Sequence, residues 1–89
     1  MGRSAARLTY RDLKLALLAA LEESGPAERK TLVGEKRQAG LVDKALERPL
    51  ARRDRVRVEE ALDLLLRDGL VAASEDEHFA ITSQGQEAL

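Results

Sequence analysis

The chain has 89 residues, with 15 Lys and Arg against 16 Asp and Glu, one His and no Cys, so it builds one small domain and any reading that needs two is excluded. At 44% hydrophobic and 35% charged residues it has material for both a core and a dense ionic surface, which sets it with globular chains rather than disordered ones. Without Cys there is no disulfide, thiolate metal site or thiol nucleophile, a single His cannot form a His pair, and no apolar run approaches the roughly 20 residues of a membrane span; the expectation is a cytoplasmic protein with no cofactor, no metal and no membrane partner.

Residues 1–8 read as an arm carrying Arg3 and Arg7, ahead of a domain over 9–89. Thr9 is placed to cap a helix, with Asp12 three residues on as the capping-box acid and Leu8 and Leu13 at the two positions of a hydrophobic staple. Leu13, Leu17, Ala20 and Leu21 then recur at helical spacing, with Leu15, Leu18 and Ala19 widening the apolar face until Gly25-Pro26 ends it. Pro26 suits the first position of a second helix running to Gln38, with Glu28 in its first turn and Lys36 and Arg37 in its last, matching the dipole at both ends. Leu41, Val42, Ala45 and Leu46 mark a two-turn helix between Gly40 and Pro49. A further helix over 54–68, with Asp54 as N-cap, buries Val58, Ala61, Leu62, Leu65 and Leu66 before Gly69 stops it. Two apolar segments around the acidic turn Glu75-Asp76-Glu77 read as a β-hairpin, with Phe79 beneath it in the core, and Thr82 caps a last short helix.

Charge is divided along the chain. Residues 1–57 hold 14 Lys and Arg against 8 Asp and Glu, a surplus of +6, while residues 58–89 hold 1 against 8, a deficit of −7. Such polarity fits a basic face for a nucleic acid or an acidic partner, and equally a fold whose two halves neutralise each other.

The order of helices, a long helix leaving through Leu65-Leu66-Arg67-Asp68-Gly69-Leu70-Val71, a hairpin, and the close Ile81-Thr82-Ser83-Gln84-Gly85-Gln86-Glu87-Ala88-Leu89 resembles the winged-helix superfamily, and within it the small bacterial transcription regulators. The resemblance covers 54–89 closely and 9–25 loosely. It implies an α+β, mostly α fold: a winged helix-turn-helix of three or four helices, with a C-terminal hairpin wing and a short final helix. It further implies a regulator, a homodimer on double-stranded DNA, with the helix over 54–68 entering the major groove; the residues themselves carry no enzyme signature, since no His or Lys is placed to activate a Ser or Thr and Gly34 and Gly40 form no phosphate-cradling motif.

On that reading Arg52, Arg53, Arg55 and Arg57 surround the N-terminus of the groove helix, where a phosphate would relieve cations placed at a positive helix end. Arg29, Lys30, Lys36, Arg37 and Lys44 supply further phosphate contacts. The plain alternative pairs Arg55 with Glu59 one turn on and leaves Arg52 and Arg53 in water. Glu59, Glu60 and Asp63 fall on the groove face, and the wing tip Glu75-Asp76-Glu77 repels phosphate. Those carboxylates, with Leu64 as an apolar contact, motivate a second reading: an interaction module that docks a protein partner without touching DNA. His78 reads as a solvated strand residue.

Overall fold

Thr9 starts the first helix as its sequence predicts. Its hydroxyl accepts from the Asp12 amide at 3.1 Å, and the Asp12 carboxylate accepts from the Thr9 amide at 3.0 Å, so two orphan donors are satisfied reciprocally. The computed structural model describes residues 8–35 and 38–89, which leaves most of the expected arm, together with Lys36 and Arg37, outside the described residues. Helix α1 (Tyr10–Ser24) buries Leu13, Leu17, Leu18 and Leu21 completely. Leu15 and Ala19, expected to widen the buried face, point outward instead, because α1 packs on neighbours along one side, chiefly the helices that follow at 41–46 and 52–67.

The helix expected over 26–38 is replaced by three short pieces. Ala27–Glu28 forms strand β1, Arg29–Val33 forms helix α2, and β2 (Gly34–Glu35) pairs antiparallel with β3 (Gln38–Ala39). Ala27 is buried opposite Phe79 in the sheet, so Pro26 serves a strand rather than a helix start. Gly34 stops α2 by adopting φ +88°, and its backbone crosses that of Gly40 so closely that a Cβ there would lie 2.5 Å from the Gly40 nitrogen. Only glycine allows both the left-handed φ and the crossing, which is why the helical charge pattern is overridden.

Helix α3 (Leu41–Leu46) occupies the two turns expected before Pro49. Helix α4 (Arg52–Arg67) begins earlier than expected. Ala51, not Asp54, is the N-cap, and its carbonyl accepts from the amides of Asp54 and Arg55 at 3.0 Å each. Asp54 therefore sits in the first turn, where its charge still suits the dipole. Val58, Ala61, Leu62 and Leu65 are buried at i, i+3, i+4 and i+7.

Strands β4 (Val71–Ala73) and β5 (His78–Ile81) make the expected hairpin, and β1 adds to its other edge, giving a three-stranded antiparallel sheet in the order β1-β5-β4. Thr82 caps α5 (Ser83–Ala88): its hydroxyl accepts from the Gly85 amide at 3.1 Å and donates to the Gly69 carbonyl at 2.7 Å. The result is an α+β fold, mostly helical, with a small antiparallel sheet. Its core joins the leucines of α1 to Leu32, Val42, Leu50, the inner face of α4, Val71 and Phe79.

Candidate nucleic-acid interface

The four arginines at the start of α4 divide into two that turn inward and two that face water. Arg55 turns in. Its guanidinium donates through both terminal nitrogens to the two Asp43 carboxylate oxygens at 3.1 Å and to the Val33 carbonyl at 2.7 Å. Asp43 is only 3% exposed and also accepts from the backbone amides of Gly40 and Leu50 at 2.9 Å. One buried carboxylate thus holds α3, the loop before α4 and α4 itself in a fixed relation. Burial pushes the Asp43 carboxyl upward, but the hydrogen bonds from Arg55, Leu50 and Gly40 and the Arg55 charge outweigh it, and the group sits below the usual carboxylate range. The pairing of Arg55 with Glu59 is not made.

Arg57 is also engaged within the fold. It pairs with Asp54 at 3.2 Å, donates to the Leu8 carbonyl at 2.5 Å, and lies over the Tyr10 ring with 4.9 Å between guanidinium carbon and centroid. The Tyr10 hydroxyl donates to Glu60, which raises its pKa together with slight burial and the carboxylate charge, while Arg57 opposes the shift. Arg29 lies over the Phe79 ring at 5.3 Å and shares itself between Glu59 and Asp63 at 3.4 Å each. Two of the carboxylates on the outer face of α4 are thereby partly neutralised, though exposed pairs of this kind contribute little to stability.

Arg52 and Arg53 are exposed in the first turn of α4 and form no ion pair among the described residues. One turn on from Arg52 stands Val56, 56% exposed and the most exposed large hydrophobic side chain among the described residues. Leu64, expected as the apolar contact of this helix, is half-buried. Lys30 and Lys44 line one groove with Thr31, Glu35, Gln38, Ala39 and Leu41. On the other side of α2 an open cleft of about 340 Å³ is lined by Glu28, Arg29, Lys30, Glu59, Asp76 and Glu77 among others. Glu75, Asp76 and Glu77 are all exposed at the hairpin tip. His78 is half-buried, with Nδ1 3.1 Å from the Asp76 carbonyl.

The positioning residues Asp43 and Tyr10 and the exposed Val56 were missed from sequence. Asp43 carries a legible signal, since an acid three residues after Gly40 is where a helix-capping carboxylate belongs; its partner Arg55 lies twelve residues on and shows no local signature. Among the described residues, no three His, Asp or Glu side chains converge as metal ligands, and no helix is long and apolar enough to cross a membrane. Comparison with protein-family models, curated proteins and solved structures found no match.

Proposed function

We propose that the chain is a winged-helix DNA-binding protein that meets duplex DNA with the N-terminal turns of α4 and acts as a transcription regulator. The observation that carries the reading is the pair Arg52 and Arg53, exposed and without carboxylate partners among the described residues, at the positive end of a 16-residue helix. Cations there are unfavourable in isolation and favourable beside a phosphate or a guanine edge. Support comes from the order of elements, in which α4 leads directly into the hairpin and β1 completes the sheet. Arg55 and Arg57 hold the helix in place, and the acidic hairpin tip stays off the phosphates.

Fluorescence anisotropy of a labelled duplex against the full chain, repeated across salt, tests this. Binding that weakens linearly in log salt, and is reduced at least tenfold in R52A/R53A, is the expected result. No binding at micromolar protein in low salt would defeat the reading. A second reading is favoured by the cleft between α2, α4 and the hairpin, where Glu28, Glu59, Asp76 and Glu77 outnumber Arg29 and Lys30. In that reading the same fold docks a basic protein partner, and E75K/D76K/E77K abolishes the partner interaction while R52A/R53A leaves it intact.

A further inference from the structure

The outer face of α4 carries opposite charges at matched distances on either side of Val56. Arg52 and Arg53 lie four and three residues before it, Glu59 and Glu60 three and four residues after it, and all five side chains are exposed. Residues three and four apart are neighbours on a helix surface, so the four charges surround the valine on one face. The cations lie about 5 Å along the axis on one side of it and the carboxylates about 5 Å on the other.

A face of this kind is complementary to itself. Two copies of α4 laid antiparallel across a two-fold axis at Val56 set the valines against each other and turn Arg52 and Arg53 of each copy toward Glu59 and Glu60 of the other. Glu59 already accepts from Arg29 at 3.4 Å, and Glu60 accepts from the Tyr10 hydroxyl. An ionised carboxylate offers about four acceptor sites, so both retain capacity for a guanidinium. Glu59 also lines the cleft in which it, Glu28, Asp76 and Glu77 face Arg29 and Lys30, and a cation that reaches Glu59 from outside enters negative surroundings.

We propose that a second copy of the chain docks on this face, α4 against α4, antiparallel about Val56. The proposal does not rest on the DNA-binding reading. It differs from the homodimer on DNA that the family resemblance implies, because it covers the arginines that a duplex would need, and copy and duplex compete for them. One valine pair and a ring of exposed ion pairs make a weak dimer that salt dissociates, since such pairs contribute little each and are screened.

Sedimentation velocity of the full chain at millimolar protein tests this at about 0.01 M and about 1 M salt, where the screening length is about 30 Å and about 3 Å. A dimer at the lower salt and a monomer at the higher is the expected result. R52E/R53E and E59R/E60R each set like charges across the axis and are expected to be monomeric at both. Mixed in equal amounts they present Glu against Arg at every contact, and the dimer returns. Circular dichroism checks that both keep the parent's helix content. A further variant leaves all these charges in place: the chain has no Cys, so V56C puts a lone thiol beside its copy on the axis. At the lower salt V56C is expected to oxidise to a covalent dimer several-fold faster than S83C, at an exposed position on α5. A parent chain that stays monomeric at the lower salt, a dimer that survives either charge reversal, a mixture of folded variants that stays monomeric, or equal oxidation of V56C and S83C overturns the proposal. Each of these leaves the DNA-binding reading to be decided by the duplex titration alone.

Discussion

At the scale of single residues, Asp43 does more for the architecture than any other polar group described. Its two oxygens accept four hydrogen bonds, two from Arg55 and one each from Gly40 and Leu50. Replacing it by Ala leaves a guanidinium with 18% of its side chain exposed and two amides without acceptors, and breaking such a pair costs about 3 kcal/mol or more. Urea unfolding of D43A is the measurement. The pH dependence follows from the depressed carboxyl. A group whose folded pKa lies below its unfolded value near 3.8 contributes its full stabilisation above that value and loses it as pH falls through the folded pKa. Acidification below about 3.8 is therefore expected to cost the parent chain more stability than D43N, which is less stable at neutral pH but has no carboxyl left to titrate there. Gly85 is a second such position: a Cβ would lie 2.2 Å from the Leu70 carbonyl oxygen, so G85A has to displace α5 from the backbone that leads into β4, at a cost of about 1–3 kcal/mol visible in the same unfolding curve.

At the scale of elements, what could be read from the sequence is what is decided locally. The Thr9–Asp12 box, the i, i+3, i+4, i+7 stripe of Val58, Ala61, Leu62 and Leu65, the hairpin around Glu75-Asp76-Glu77 and the Thr82 cap all depend on neighbours within a few residues, and all stand where expected. The segment 26–39 was misread because its fate is set from a distance: Ala27 pairs with Phe79, and Gly34 must pass Gly40. For the same reason the four arginines were legible as a cluster but not as two pairs with separate duties, since the partners of Arg55 and Arg57 are Asp43, Val33, Leu8 and Tyr10 on other elements. The packing of α1 on α4 offers a direct check. Tyr10 gives Arg57 a ring to lie on and gives Glu60 a hydroxyl. Y10F keeps the ring and is expected to change the melting temperature little; Y10A removes the exposed cation–π contact as well and is expected to lower the melting temperature more than Y10F does.

At the scale of the whole molecule, a net charge of −1 conceals a surplus of +6 over residues 1–57 and a deficit of −7 over residues 58–89, carried on a body of 42 × 28 × 20 Å. Whether the acidic hairpin influences a polyanion bound elsewhere on so small a body depends on the screening length. That length is about 30 Å at 0.01 M salt and about 8 Å at 0.15 M, so the hairpin acts across the molecule in the first case and only on its own surroundings in the second. Replacing Glu75, Asp76 and Glu77 by Gln, Asn and Gln removes three exposed negative charges without adding a contact. If the duplex lies against the start of α4, the substituted chain binds DNA several-fold more tightly than the parent at about 0.01 M salt, and the advantage shrinks toward nothing at about 0.15 M as screening closes in. An advantage that persists at the higher salt would instead place the hairpin against the duplex, where the removed carboxylates had been in direct conflict with phosphate. A partner-docking surface predicts the opposite sign for its own ligand: the same three substitutions weaken capture of a basic protein. Anisotropy titrations at the two salt concentrations, run with the duplex and then with a Lys-rich peptide, read the location of the nucleic acid from the salt at which the two chains converge.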